Sequence, residues 1–269
     1  MTAGQDEAVK ANFEMVTDVT VVMLAGGTLA GRIGSGVLVA AASGRAFVLT
    51  AAHTFCESPG WRPVLVGAPN PRRPGHLVTF DDAVTEVLEA PRWSGREVDV
   101  ALLGLSNEAD RELRRVAIGM ESIAEGVMPD SGRPGQVSGF PIEKLHKVQH
   151  RDGVIELNAG LVHYSTVALG VDAKGRLRIG WEKTPPPSRR FNHDFSSSVV
   201  DEPLHDPSGM SGGAFWKYVD PKPGEIWSAR RHGRLVGVMV SWNSVGRNEA
   251  QVESVESFGE WLRNELRAR

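Results

Sequence analysis

Short runs of β-branched and other apolar residues, each ended by residues typical of turns, recur along this 269-residue sequence. Such runs indicate β-strands, because β-branched side chains pack well on a pleated sheet and turn residues end it. We therefore predict an all-β fold with six strands in each half of the chain and little helix. The predicted strands are residues 19–24, 36–40, 46–50, 77–79, 84–88 and 98–105, followed by 136–140, 147–157 (turning at 152–153), 161–169, 177–181, 214–219 and 235–242.

A change of composition near the middle of the chain separates the two halves. Residues 107–115 are mostly charged, and residues 125–135 collect Gly, Pro, Asp and Ser, which is typical of a linker. We predict an N-terminal extension over residues 1–18, a first domain over residues 19–116 and a second domain over residues 117–269.

Two segments of the second half depart from the strand pattern. Residues 183–207 contain three consecutive prolines and three consecutive serines, which predicts a surface loop. Near the end of the chain, apolar residues recur at the spacing of one helix face, which predicts an amphipathic helix docked on the second half. These residues are Val255, Phe258, Trp261, Leu262 and Leu266.

Charge and cysteine content exclude several classes of protein. The chain has 30 Lys and Arg against 33 Asp and Glu, a net charge of -3, so it offers no general positive field for nucleic acid. Cys56 is the single cysteine and cannot form an intramolecular disulfide. The first twenty residues hold no apolar run of secretory length, and runs such as residues 37–42 fall far short of the ~20 residues that cross a bilayer. We expect a cytoplasmic protein that binds neither nucleic acid nor membrane.

Three short segments hold the residue types that nucleophilic catalysis needs. A β run ends in Thr-Ala-Ala-His at 50–53, Asp99 interrupts an apolar stretch, and Ser211 lies among the glycines of residues 209–213. A serine hydroxyl is a poor nucleophile until an imidazole accepts its proton, and the imidazole needs a carboxylate that fixes its tautomer. We therefore predict Ser211 as nucleophile, His53 as general base and Asp99 as the acid that orients His53.

The chemistry of the reaction explains the glycines around Ser211. A sharp turn presents the hydroxyl outward while backbone N–H groups converge on the oxyanion that develops during attack. Gly209 and Ser211 are the predicted N–H donors of this oxyanion hole. A histidine partner also explains Asp99, because an unpaired carboxylate in an apolar strand would be costly to bury.

In residue type and in order, these segments resemble the chymotrypsin-like (trypsin-like) serine peptidases. The family runs histidine, aspartate, serine along the chain. Thr-Ala-Ala-His matches its histidine motif, Asp-Val-Ala-Leu-Leu at 99–103 its acid motif, and Gly-Met-Ser-Gly-Gly at 209–213 its nucleophile motif with one change. Val-Ser-Trp at 240–242 is similar to the strand that pairs with the substrate backbone.

The resemblance covers roughly residues 19–267 and implies a fold and a chemistry. The implied fold is two six-stranded antiparallel β-barrels with a C-terminal α-helix, and the active site lies in the cleft between the barrels. The implied chemistry is peptide hydrolysis through an acyl-enzyme intermediate, with a polypeptide substrate and without a cofactor or metal.

Two departures from the family pattern concern control of the enzyme. Secreted members have an aspartate before the nucleophile, which pairs with a new N-terminus after zymogen cleavage, whereas this chain has Met210. The disulfide that flanks the histidine in those members is absent, since Cys56 is alone. The chain therefore looks like a prokaryote-style intracellular member, and such proteins often work beside a regulatory protein partner.

The resemblance also suggests a substrate-binding set. By counting back from the nucleophile, His205 falls where trypsin has its pocket-floor aspartate, with Asp206 next to it. Asn243 stands where a glycine usually keeps the pocket mouth open, directly after Ser241 and Trp242. This set favours small or polar substrate side chains, while a one-residue shift that places Asp206 at the pocket floor would favour basic ones.

The main functional prediction is a serine endopeptidase, and other interpretations stay open. A catalytically latent or inactive protein would keep the peptidase fold for binding, with a collapsed turn around Met210. An esterase or acyltransferase would use the same triad on small substrates. His146 and His150 have helical zinc-ligand spacing, but their segment alternates like a strand, so no metal site is predicted.

Overall fold

The computed structural model describes most of the chain. The described residues are 15–26, 32–55, 64–69, 76–125, 132, 134–151, 154–181, 190–193, 206–219, 221, 223–242 and 249–269. Cys56, His205 and Asn243 lie outside these residues, as does most of the predicted loop 183–207. The side chains of His146 and His150 also lie outside this description.

Strands make up 47% of the structure and form two antiparallel sheets. The first half of the chain supplies β1 (Thr20–Ala25), β2 (Ile33–Ala40), β3 (Ala46–Thr50), β4 (Val64–Pro69), β5 (His76–Phe80), β6 (Val84–Glu89) and β7 (Ala101–Leu105). The second half supplies β8 (Pro134–Gly139), β9 (Leu145–Arg151), β10 (Val154–Ala159), β11 (Leu161–Val171), β12 (Leu177–Gly180), β13 (Arg190–His193), β14 (Ala214–Tyr218), β15 (Gly233–Trp242) and β16 (Glu249–Ser254). The helices are Ala52–Phe55, Asn107–Leu113, Ala229–His232 and Val255–Ala268, the 3-10 turns are Met120–Ser122 and Ile142–Lys144, and residues 15–19 are also helical.

The two sheets differ in closure. The second sheet has the order β12-β16-β15-β14-β8-β11-β13, and a further pairing between β12 and β11 closes six of these strands into a barrel. The first sheet has the order β6-β7-β3-β2-β1-β4-β5-β10-β9 and curls into a half-barrel. The predicted class, all-β with two antiparallel β-barrel units and a C-terminal helix, is confirmed, with one barrel closed and the other open.

One hairpin connects the two halves of the chain through the first sheet. β10 pairs with β5, with Leu157 opposite Leu77, and β9 pairs with β10. The first sheet thus takes two of its strands from beyond residue 116. The division into residues 1–18, 19–116 and 117–269 stays a prediction about folding units.

Three strands, β4, β13 and β16, were not indicated by the sequence pattern. β16 carries Glu249 and Glu253 among its six residues, and arginine side chains bind both carboxylates, so a polar sequence forms a stable strand here. β13 lies inside the segment predicted as a loop, so that prediction is wrong at residues 190–193, where pairing with β11 provides the backbone partners. β4 ends in Gly-Ala-Pro, which indicates a turn more than a strand.

A buried core joins both sheets to the C-terminal helix. Phe47 from β3, Trp216 from β14 and Phe258 from the helix Val255–Ala268 belong to one cluster and are at most 1% exposed. The helix begins at Val255, and the hydroxyl of the preceding residue, Ser254, accepts a hydrogen bond from Glu256 N–H, as expected of an N-cap. This cluster joins β3 of the first sheet and β14 of the second sheet in one hydrophobic core.

Among the helices that lie within the described residues, none is both long and apolar enough to cross a membrane.

Candidate active site

His53 lies on a single-turn helix directly after a buried strand. β3 ends at Thr50, and the helix Ala52–Phe55 begins two residues later. Thr54 packs on the backbone of Gly34 in β2, where an added Cβ would lie 2.6 Å from the Thr54 methyl. This close contact fixes the helix against the sheet, while the His53 side chain remains 34% exposed.

Asp99 lies two residues before β7, so the prediction that it is embedded in that strand is wrong. Its Oδ1 accepts a hydrogen bond from His53 N–H at 2.8 Å, and its Oδ2 lies 2.6 Å from His53 Nδ1. The first N–H groups of a helix have no partner within it. One carboxylate therefore caps the short helix and holds the imidazole.

The contact with Asp99 decides the form of the neutral imidazole. A carboxylate can only accept hydrogen bonds, so His53 Nδ1 carries the proton and Nε2 is left as an acceptor. Nε2 lies 3.5 Å from the Thr54 hydroxyl oxygen, at the outer limit of a hydrogen bond. His53 is therefore arranged to accept a proton on its Nε2 side.

The segment 207–213 is a tight turn in which four successive carbonyl groups are bonded to protein. Gly209 and Gly212 have φ values of +92° and +90°, which favour glycine over residues with a Cβ. The bonds run from Ile142 N–H to Ser208 O (2.7 Å), from the Ser35 hydroxyl to Gly209 O (3.0 Å), from Gly213 N–H to Met210 O (2.8 Å) and from Ser35 N–H to Ser211 O (2.7 Å).

Two N–H groups of this turn, those of Gly209 and Ser211, have no hydrogen-bond partner among the described residues. By contrast, Met210 N–H donates to Pro207 O at 2.9 Å and Gly212 N–H donates to Met239 O at 2.7 Å. In a trans peptide the N–H points away from the C=O of the same peptide group. The carbonyl groups of Ser208 and Met210, which share peptide groups with these two N–H groups, are bonded to protein. The N–H groups of Gly209 and Ser211 therefore point away from those bonds and are available to a negatively charged oxygen.

Close packing places this turn against the strand that leads to His53. A Cβ at Gly212 would overlap Ser35 O and Thr50 Oγ1, and the Thr50 hydroxyl donates to Ser35 O at 2.8 Å. Within the described part of the chain, no hydrogen bond joins Ser211 Oγ to His53 Nε2. Such bonds are often long in a site without substrate and tighten when substrate binds.

The end of β15 has an open side next to the turn. β14 pairs with β15 as far as Ala214 opposite Val238, whereas β16 pairs with β15 as far as Trp242. Among the described strands, Val240 and Ser241 therefore have a neighbour on one side only. An extended peptide can join such an edge by strand addition.

The predicted substrate-binding residues that the structure describes make local contacts. Ser241 and Trp242 are half-buried, and the Ser241 hydroxyl donates to Gln251 Oε1 at 2.7 Å. Asp206 Oδ1 accepts hydrogen bonds from Ser208 N–H at 2.9 Å and from the Ser208 hydroxyl at 2.5 Å. Asp206 therefore stabilises the entry to the turn as an Asx turn.

The sequence interpretation missed Ser35, which bonds the turn with both its side chain and its backbone. Ser35 lies between Gly34 and Gly36 on β2. Glycine inside a strand often marks a close approach of another backbone, so this signal was present in the sequence. The interpretation also missed Gln251, because the polar strand β16 that carries it was not predicted.

Comparison with models of known protein families gives no match, and comparison with curated proteins gives none either. Among solved structures, the chain is similar to the serine endoprotease from Yersinia pestis, with a TM-score of 0.54 and 13% identity, over 96% of this chain and 65% of that one. It is also similar to the thermostable serine protease AL20 from an extremophilic microorganism, with a TM-score of 0.53 and 15% identity, over 94% of this chain and 99% of that one. This chain has the chymotrypsin-like fold.

A third similar structure shows what the chymotrypsin-like fold leaves undecided. The scabies mite inactivated protease paralogue S-I1 has a TM-score of 0.53 and 17% identity, over 95% of this chain and 97% of that one. That protein is described as inactivated, so the fold occurs with and without activity. The function of this chain therefore depends on its own residues and does not follow from the fold.

Proposed function

We propose that this chain is a serine endopeptidase that cleaves peptide bonds through an acyl-enzyme intermediate. The observation that carries the proposal is the 2.6 Å contact between His53 Nδ1 and Asp99 Oδ2, together with the packing of the turn that holds Ser211 against Thr50, three residues before His53. A binding module has no need of a carboxylate kept behind a histidine whose other nitrogen is left as an acceptor.

In the first half of the reaction, Ser211 Oγ attacks the scissile carbonyl carbon while His53 Nε2 takes the hydroxyl proton. The negative charge that develops on the carbonyl oxygen is stabilised by the N–H groups of Gly209 and Ser211. Asp99 accepts a hydrogen bond from Nδ1 throughout, which stabilises the imidazolium. Collapse of the intermediate breaks the C–N bond as His53 gives its proton to the leaving amine, and an ester on Ser211 remains.

In the second half, water replaces the amine. His53 Nε2 takes a proton from water, whose oxygen attacks the ester carbon, and the same two N–H groups stabilise the second oxyanion. Collapse returns the proton from His53 to Ser211 Oγ and releases the acid. Over the two halves of the reaction the proton transfers and the bond changes balance, so no cofactor is needed.

We place the substrate backbone along Val240 and Ser241, because β15 has a strand neighbour there on one side only. Trp242 is expected to wall the specificity pocket, with His205, Asp206 and Asn243 around it. The two hydrogen bonds from Ser208 occupy Asp206 Oδ1, which supports the preference for small or polar substrate side chains over basic ones.

The test compares hydrolysis of an unfolded protein with that of a small activated ester, using wild type and Ser211→Ala. A peptidase is expected to cut the unfolded protein into peptides in a Ser211-dependent manner. Hydrolysis of the ester alone, with the protein left uncut, would replace the proposal by an esterase that uses the same residues. Wild-type rates in purified Ser211→Ala would contradict any role for this triad.

A latent or inactive peptidase-fold protein is the second candidate. It is favoured by the missing hydrogen bond between Ser211 Oγ and His53 Nε2 among the described contacts. In that case neither substrate would be hydrolysed by the isolated chain, and activity would need the regulatory protein partner that the resemblance implies. The cytoplasmic location stays a prediction that rests on the single cysteine.

A further inference from the structure

We infer that the Ser35 hydroxyl is a positioning group that keeps the oxyanion turn open in this chain. The inference rests on the proposed function and assigns a role to a residue of the first sheet, outside the triad and the N–H donors. In the family that the sequence resembles, an aspartate before the nucleophile orders this turn once a new N-terminus is available. This chain has Met210 at that position, so the turn needs a different restraint.

Met210 itself supplies no polar restraint through its side chain. It is fully buried, in an apolar cluster with Val137, Phe215 and Met239. Among the described residues, its backbone bonds lie within the turn, from its N–H to Pro207 O and from Gly213 N–H to its carbonyl. The restraint on the turn from outside must therefore come from other residues.

Ser35 reaches the turn across the interface between the two sheets. It is fully buried on β2, its hydroxyl oxygen accepts a hydrogen bond from Phe140 N–H at 2.8 Å, and the hydroxyl donates to Gly209 O at 3.0 Å. The bond from Phe140 occupies an acceptor position, so the hydroxyl proton is directed at Gly209. The hydroxyl thus has a single arrangement that satisfies both partners.

The bond to Gly209 O acts on the peptide group that most needs a restraint. Gly209 is in the left-handed region and has no side chain, so rotation about its backbone costs little. Ile142 N–H holds the peptide group before Gly209 through Ser208 O, and Ser35 holds the peptide group after it. Together these two bonds keep the Gly209 N–H directed away from the protein. Without the Ser35 bond, the peptide group after Gly209 keeps only the bond from Met210 N–H to Pro207 O, so the backbone at Gly209 is less firmly held and its N–H can move away from the oxyanion position.

The Ser35 hydroxyl also packs against the end of β8. A Cβ at Gly139 would lie 3.0 Å from Ser35 Oγ and 3.2 Å from Met210 Cβ. The serine side chain, the turn and the end of β8 therefore pack closely.

The experiment measures the second-order rate of reaction with a fluorophosphonate, and kcat and KM on a peptide substrate, for wild type and Ser35→Ala. We expect a fall of about 10- to 100-fold in the fluorophosphonate rate and in kcat, less than the 10²–10³-fold loss of an oxyanion donor itself. KM is expected to stay within about twofold, since a bond made only in the transition state is weakened. A merely structural role would lower the melting temperature without this split between kcat and KM.

Ser138→Ala is the matched control. Ser138 is also a fully buried serine whose hydroxyl oxygen accepts a hydrogen bond from an N–H group, that of Trp216 Nε1 at 3.2 Å. We expect it to lose thermal stability as Ser35→Ala does and to keep the wild-type rate of fluorophosphonate reaction. If Ser35→Ala does not fold, Ser35→Cys keeps a similar volume with a weaker donor, and its rate is expected to fall below wild type.

The outcomes separate this inference from the proposed function. A wild-type rate in folded Ser35→Ala, or in Ser35→Cys where the alanine variant does not fold, overturns the role of Ser35 and leaves the peptidase intact. An equal loss of rate in Ser138→Ala overturns it too, because the effect then comes from lost packing. Wild-type protein that never reacts at Ser211 contradicts the proposed function itself.

Discussion

The two halves of the candidate site are built in different ways. His53 follows β3 and Asp99 precedes β7, two strands of the first sheet, and two hydrogen bonds that the Asp99 carboxylate accepts from His53 join them. The turn 207–213 belongs to the second half of the chain, and backbone bonds, together with the Ser35 hydroxyl, determine its shape. The part of the site formed by His53 and Asp99 depends on the identity of two side chains, whereas the turn that carries Ser211 depends on the path of the backbone.

This difference predicts two kinds of mutational effect. A change in the acid–base half should alter the chemical step and leave the fold intact, because the side chains concerned are partly exposed. A change in the nucleophile half, apart from Ser211 itself, should act through conformation.

Removing the nucleophile should have the largest effect on turnover. Ser211→Ala is expected to lower kcat by about 10⁶-fold, because the imidazole then has no hydroxyl to activate. Ser211 lies in a turn that backbone bonds hold, so the melting temperature should stay at the wild-type value. Residual turnover within tenfold of wild type, with contaminating peptidases excluded by active-site labelling, would show that another group is the nucleophile.

Asp99→Asn tests the acid–base half alone. The amide keeps the volume of the carboxylate but presents the wrong hydrogen-bonding group to His53 Nδ1, so the proton moves to the wrong nitrogen. We expect kcat to fall by about 10⁴-fold at neutral pH. Stability should change far less than activity, as measured by thermal unfolding. A fall of less than tenfold would mean that Asp99 only caps the helix Ala52–Phe55.

A buried ion cluster ties the loop that carries Asp99 to the second sheet. Glu253 on β16 is fully buried and accepts hydrogen bonds from Arg96 and from Arg176, each at 2.8 Å. Glu253→Ala leaves these arginines without their partner, so we expect a loss of about 3–5 kcal/mol in the free energy of unfolding. Chemical denaturation measures it.

The control for that prediction is an ion pair of the same loop at the surface. Arg92 and Glu97 are 69% and 85% exposed and lie 3.3 Å apart. Solvent screens such pairs, so Glu97→Ala should leave the unfolding midpoint unchanged. Equal losses in Glu253→Ala and Glu97→Ala would contradict a special contribution from the buried cluster.

The smallest effect is expected at Ser241. Its hydroxyl is bonded to Gln251 and not to Asp99, so its loss should not disturb the imidazole. Loss of one neutral hydrogen bond is worth about 0.5–1.5 kcal/mol, so Ser241→Ala should change kcat/KM by at most about tenfold. A loss that approaches that of Asp99→Asn would show that Ser241 supports the acid–base pair directly.

The sequence allowed prediction of the fold class and of the residues in both halves of the site. Ordered motifs predict His53, Asp99 and Ser211 as candidate site residues because motifs are properties of local segments. The glycines beside Ser35 indicate that another backbone comes close, but no local pattern shows that the partner is Gly209, 174 positions away. β16 escaped prediction for a related reason, since its carboxylates are satisfied by arginines that are distant in sequence.

The most direct test of the central claim is intact-mass analysis after fluorophosphonate treatment of wild type, Ser211→Ala and His53→Ala. We predict one adduct on the wild type, none on Ser211→Ala, and strongly slowed labelling of His53→Ala. An adduct that persists on Ser211→Ala, or no adduct on the wild type under conditions in which it is folded, would contradict an assembled serine nucleophile in this chain.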